Sequence, residues 1–112
     1  MAVDSLVAGL FRIQVLSSPP PHPGETIKED YLVPLGMSVN RLAAALGIGV
    51  SRLNEIVRGK RGITADTALR LARCFGTSAE FWLNLQSLYD LRVTEGQSRA
   101  RIKREVTPLK VA

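Results

Sequence analysis

Residues 39–59 read VNRLAAALGIGVSRLNEIVRG. Leu42 and Leu46 recur four apart before Gly47, and Leu53 and Ile56 recur three apart after it. Each spacing places its pair on one face of a helix. Ala43 stands four residues ahead of Gly47, where a small side chain lets two helices cross closely. Gly47 supplies the positive φ that a tight corner between helices requires. A chance pair of amphipathic helices meets one or two of these constraints. All of them in register read as a DNA-binding helix-turn-helix, against the plainer alternative of a structural helical corner.

The second helix of the corner divides by angle, at ~100° per residue. Leu53, Ile56 and Val57 point toward a core. Ser51, Asn54, Glu55 and Arg58 share an outward arc of about 100°, the face that a recognition helix lays in the major groove. An Asn at position 54 can bond bidentately to adenine, and an Arg at 58 to guanine. Glu55 either accepts from a cytosine amino group or repels wrong placements. Val50, at the helix start, either covers the core or meets a thymine methyl. Arg58, Lys60 and Arg61 form a basic loop directly after the helix, where phosphates would pass; its plainer reading is a solvated loop. Arg41 and Arg52 flank this face. Backbone amides at the start of the preceding helix offer a further place for phosphate.

Capping residues set out the other elements. Ser38 caps the first helix of the corner, which runs to Leu46, and the second covers about Val50 to Val57. Thr64 caps a fourth helix that carries Ala65, Ala68, Leu69, Leu71 and Ala72 and ends at Gly76. Thr77-x-x-Glu80 reads as a capping box for a fifth, expected to reach Leu91 or a little beyond. Upstream, a helix over Glu25–Val33 has Glu25, Glu29 and Asp30 near its positive end and Ile27, Tyr31 and Leu32 facing inward. Pro34 and Gly36 are expected to stop it. The run Ser17-Ser18-Pro19-Pro20-Pro21-His22-Pro23-Gly24 is a stiff boundary.

The expected architecture is therefore all-α, with five helices over 22–93. An N-terminal extension at 1–21 is either a disordered arm or a helix packing on a partner. A basic tail at 94–112 (Arg99, Arg101, Lys103, Arg104 and Lys110 against Glu105) is expected to be mobile, unless Ile102, Val106 and Leu109 order it on a partner.

The fifth helix is too apolar for its task. Phe81, Trp82, Leu85, Leu88, Tyr89 and Val93 spread over about 140°, and Leu83 and Leu91 fall outside even that arc. A helix covering one face of a small core needs only ~100°. The excess implies a homodimer contact through Trp82, Leu85, Leu88, Tyr89 and Leu91, or else a more enveloped core helix.

The 112 residues suit one soluble domain, 46% hydrophobic and 22% charged; with 5% aromatics, its core must be mostly aliphatic. The net charge of +5 fits an anionic partner. A single cysteine, Cys74, excludes an internal disulfide and a cysteine metal cluster; it is expected as a small buried thiol in a reducing compartment. The single His22, with no metal-binding or nucleophilic neighbour, reads as structural. No converging polar cluster suggests catalysis, so neither enzyme activity nor a cofactor or metal is expected. Residues 1–16 are apolar, yet Asp4, Arg12 and Gln14 break the pattern of a signal peptide. With no run of ~18 apolar residues, a cytoplasmic protein without membrane contact is expected.

Three segments carry a resemblance: HPGETIKEDYLVPLGMSVNRLAAALGI, SRLNEIVRGKRGITADTALRLARCFGT and SAEFWLNLQSLYDL. Over about Pro21 to Leu91 they resemble HigA-type antitoxins, within the XRE (lambda-repressor-like) helix-turn-helix family. His22-Pro23-Gly24-Glu25 and the run from Phe81 to Leu85 are its most specific marks. The resemblance implies a dimeric five-helix domain that binds a palindromic operator in its own promoter and neutralises a HigB-type toxin, an mRNA-cleaving ribonuclease. It carries DNA reading onto Ser51, Arg52, Asn54 and Arg58, with Val50 beside them. Similar antitoxins usually begin near the Pro-Pro-His-Pro-Gly turn. Residues 1–18 are thus either an arm that contacts toxin or the product of a start codon placed too far upstream. The alternative to an antitoxin is a stand-alone phage-type repressor without a toxin partner.

Overall fold

The computed structural model describes residues 20–110, and the greater part of the extension at 1–21 lies outside them. Five helices fold without a strand among the described residues. Helix α1 is built of Pro23–Ile27, a π-helical turn Lys28–Leu32 and a last turn Val33–Leu35. Helices α2 (Val39–Leu46), α3 (Val50–Val57), α4 (Ala65–Phe75) and α5 (Ala79–Glu105) follow. The bounds of α2, α3 and α4 are those expected from the sequence, with caps marking α2 and α4.

Local chemistry explains the two ends of α1. Pro23 takes the first helical position, where a missing N–H costs nothing. His22 caps it: the Gly24 N–H donates to His22 Nδ1 at 2.9 Å. Pro34 does not stop the helix, contrary to expectation. A proline inside an α-helix lacks a donor and strikes the carbonyl four residues back. The chain widens into the π turn instead, in which the Val33 N–H bonds to the Lys28 carbonyl, five residues back. Gly36, at φ +59°, then ends the helix.

Ile27, Leu42, Ala43, Leu53, Ile56, Ala68, Leu71 and Trp82 are fully enclosed and form the core. An aromatic group closes one end, with Tyr31 stacked on Phe75 at 4.0 Å between ring centroids and Trp82 beside both. Trp82 is therefore a core residue and not, as expected, part of a surface for a second copy. Its Nε1–H donates to Thr77 Oγ1 at 2.7 Å. That use of Thr77 corrects the capping-box reading: Ser78 is the cap, accepting from the Phe81 N–H at 3.1 Å. Cys74 is exposed rather than buried, and the buried residues of α4 are Thr67, Ala68 and Leu71.

Helix α5 continues past Leu91 and takes in most of the basic tail. Gly96 and the dense charge hide this in the sequence, since a mid-helix glycine costs about 1 kcal/mol against alanine. Ion pairs at helical spacing offset the cost: Arg92 with Glu95 at 2.8 Å, Arg99 with Glu95, and Arg101 with Glu105 at 3.8 Å.

The start of α1 lies directly on the end of α3. A methyl group at Gly24 would stand 1.8 Å from the carbonyl oxygen of Ile56 and 2.9 Å from Cα of Val57. Only hydrogen fits there. Gly24→Ala is accordingly expected to cost at least about 2 kcal/mol, read as a lowered urea midpoint at unchanged slope. A midpoint equal to wild type would show that the two backbones are not in contact.

The cap of α1 also makes stability depend on pH. His22 is buried, with its ring edge-on to Tyr89 at 4.9 Å. Burial holds its pKa below the ordinary value, against the opposing pull of the Asp90 and Glu25 carboxylates. Accepting from the Gly24 N–H also requires Nδ1 to be unprotonated. Just below about pH 6.5 the unfolded chain thus binds a proton that the folded chain does not, so stability is full above that pH and falls as the pH drops through the window. His22→Asn keeps a capping acceptor and removes this titration. Its unfolding free energy is expected to fall less steeply than wild type between pH 7 and 6; equal slopes would assign the dependence to other groups.

Candidate nucleic-acid interface

Helix α3 is set at the corner by its neighbours on both sides. Gly47, at φ +70°, turns the chain out of α2. The Gly47 N–H bonds to the Ala44 carbonyl at 3.2 Å and the Ile48 N–H to the Ala43 carbonyl at 3.1 Å, the paired closure of a Schellman motif. Two further carbonyls at this turn, those of Leu46 and Gly47, are taken by Arg70 of α4. Its Nη1 donates to Leu46 O at 3.0 Å and Gly47 O at 3.3 Å, while Asp66 holds its Nε at 2.7 Å. One α4 side chain thereby locks the turn that precedes α3.

A second lock joins α3 to α4. Arg52 was expected to flank a DNA contact, but its guanidinium turns toward α4. It donates to Thr67 Oγ1 at 2.6 Å and Thr64 Oγ1 at 3.4 Å, with Asp66 at 3.8 Å. Thr67 is fully buried, and its hydroxyl also accepts from Thr64 Oγ1 at 3.2 Å, so the enclosed oxygen is paired twice. Neither Arg70 nor the Thr67 partnership is visible in the sequence, since each joins residues far apart along the chain.

What remains outward on α3 is Ser51, Asn54 and Arg58, all exposed, with Val50 at the entry edge and 44% exposed. Exposure puts Val50 on the outer side and not in the core. Leu53 and Ile56 fill the inner side, and Val57 is half-buried against them. The following loop is folded tightly onto the helix end. The Gly59 N–H bonds to Ile56 O at 3.0 Å, the Lys60 N–H to Glu55 O at 2.8 Å, and Gly59 takes φ +75°. Farther on, the Ile63 N–H donates to Gln86 Oε1 of α5 at 2.7 Å, and Gln86 Nε2 donates to Asp90 at 2.9 Å. The loop is thus fixed at both ends. Among the described residues, Arg41, Arg58 and Lys60 form no ion pair. Arg61 does: its Nε lies 2.7 Å from Glu55 Oε2, so these two candidates occupy one another.

The geometry offers a convex helix with one amide, one hydroxyl and one guanidinium toward solvent, followed by an exposed lysine. These groups can donate and accept on the edges of bases, and they lie on a rigid support. No helix among the described residues is long and apolar enough to cross a membrane.

A helix-turn-helix family model matches residues 27–82, the span that contains α2, α3 and α4. The chain belongs to the XRE helix-turn-helix family. Virulence-associated protein I of Dichelobacter nodosus is 60% identical over 74 residues, which cover 66% of this chain and 68% of the relative. An addiction module antidote protein of the HigA family from Coxiella burnetii superposes with a TM-score of 0.78 at 49% identity, over 82% of this chain and all (100%) of the other. The Pseudomonas aeruginosa antitoxin HigA, solved with the higBA promoter, does so with a TM-score of 0.78 at 44% identity, over 81% and 99%. These two structural neighbours are HigA-family proteins, as the three quoted segments implied, and the chain shares their fold.

Proposed function

We propose that this chain is a dimeric DNA-binding antitoxin. It represses its own operon through a palindromic operator and neutralises a HigB-type ribonuclease toxin. The observation that carries the reading is the outward arc of α3, where Ser51, Asn54 and Arg58 stand exposed on a helix whose other sides are locked by Arg52, Arg70 and Gly24. In this reading Asn54 bonds to adenine, Arg58 to guanine, Ser51 to either a base edge or a phosphate, and Val50 meets a thymine methyl. Lys60 contacts phosphate, and Arg52 holds the angle of the helix. The likeness to an antitoxin solved with its promoter supports DNA as the partner.

The dimer rests on α5. Leu91 is 54% exposed, and Leu88 and Tyr89 are half-covered, as is Leu85, which packs against the core. Apolar surface left open on that helix supports a second copy there. Two reading helices related by two-fold symmetry would then meet two half-sites of a palindrome. The activity is binding, with no catalytic step.

DNA binding is tested by titrating labelled duplex from the chain's own promoter, and a scrambled duplex of equal length, at several salt concentrations. Asn54→Ala and Arg58→Ala are each expected to weaken promoter binding by about 1–3 kcal/mol while leaving the scrambled duplex nearly unchanged. Lys60→Ala should weaken both and lower the salt slope by about 1. Equal losses on both duplexes for all three variants would contradict base reading by α3. Co-purification with the product of an adjacent small reading frame tests the toxin; without such a partner, a stand-alone repressor is the better description.

A further inference from the structure

Glu55 and Arg61 are the two candidate contacts that the structure pairs with each other. Glu55 lies at the edge of the outward arc of α3, on the flank it shares with Arg52. Its carboxylate accepts from Arg61 Nε at 2.7 Å, and both side chains are about half exposed, 46% for Glu55 and 50% for Arg61. The backbone ties the loop to the same residue through the Lys60 N–H and the Glu55 carbonyl, at 2.8 Å. Arg61 is therefore held beside the reading arc with its charge cancelled, whereas Arg58 and Lys60 are uncancelled.

A solvent-exposed pair of this kind opens at little cost when both partners find better ones. Duplex DNA supplies both. A cytosine amino group in the major groove donates to a carboxylate, and a phosphate accepts from a guanidinium. Opening is favourable only when both replacements are available together. Where the groove turns an acceptor toward Glu55 instead, the carboxylate is repelled by it and keeps Arg61.

We propose that Glu55 and Arg61 form a specificity latch, in which an amino donor facing Glu55 releases Arg61 to a neighbouring phosphate. One base identity is thereby converted into two contacts, and Arg61 adds nothing to binding on other sequences. This proposal rests on the reading of α3 as the DNA-contacting helix. It assigns Arg61 a conditional role, unlike the general phosphate contact that its position in a basic loop suggests.

The test is a set of four proteins: wild type, Glu55→Gln, Arg61→Ala and the double variant. Each is titrated with the chain's own promoter duplex and a scrambled duplex across a range of salt. Both residues are half exposed, so thermal midpoints near that of wild type are expected to show that all four are folded. In the wild-type background, Arg61→Ala is expected to weaken promoter binding about tenfold and to leave the scrambled duplex unchanged. Glu55→Gln leaves the guanidinium charge uncancelled on every sequence. It should tighten scrambled-duplex binding several-fold and steepen its salt slope by about 0.9, and the double variant should lose that gain. If Arg61→Ala weakens both duplexes alike in the wild-type background, or Glu55→Gln leaves scrambled-duplex binding and its slope unchanged, the latch is overturned while the reading of α3 stands. If wild type shows no preference for its promoter, that reading fails and the latch fails with it.

Discussion

The contact between Gly24 and the carbonyl of Ile56 leaves no room for a side chain, and the placement of α3 depends on it. The first turn of α1 is pressed onto the last turn of α3, and His22 and Pro23 shape that turn so that it can begin there. From the opposite side α4 reaches across with two arginine-centred locks, Arg70 on the carbonyls that end α2 and Arg52 on Thr67. Helix α3 has only eight residues and no side-chain cap at Gly49, so its own hydrogen bonds hold it weakly. Its orientation comes from tertiary contacts on three sides. A reading helix needs such an arrangement, because base discrimination depends on placing an amide or a guanidinium to within a fraction of an ångström.

Much of this fold is legible in the sequence because it is local. Ser38, Gly47, Thr64 and Gly76 act on their own helix ends through bonds three to five residues long, and they bound α2 and α4 where expected. The same logic fails where a distant partner takes over a local signal. Thr77 looks like a cap but serves Trp82, and Ser78 caps in its place. Pro34 looks like a stop but is accommodated by a π turn, a solution that no residue spacing announces. Gly96 looks like an end, yet the ion pairs around Glu95 and Glu105 carry α5 through it. Cys74 follows the buried Thr67 by seven residues, close to the same face of α4, yet it is exposed near the end of that helix.

The candidate site divides in the same way. Ser51, Asn54 and Arg58 follow from angles about a single helix axis, and their exposure agrees with that reading. Arg52 does not, because its partner Thr67 lies on the next helix and is hidden from any one-helix argument. Glu55 and Arg61 were each read singly, as a base contact and a phosphate contact; their pairing changes the chemistry of both. The charge that DNA would meet first is therefore smaller than the run Arg58–Arg61 suggests and is concentrated on Arg58 and Lys60.

In the proposed function the outward face of α3, and not the long α5, meets DNA. Titration of the ¹⁵N-labelled protein with its own promoter duplex, followed by amide chemical shifts, tests it most directly. The account predicts the largest changes at Ser51, Asn54, Arg58 and Lys60, with the amides of α5 beyond Leu91 little affected. Shifts concentrated in α5, with those of α3 unmoved, would contradict it.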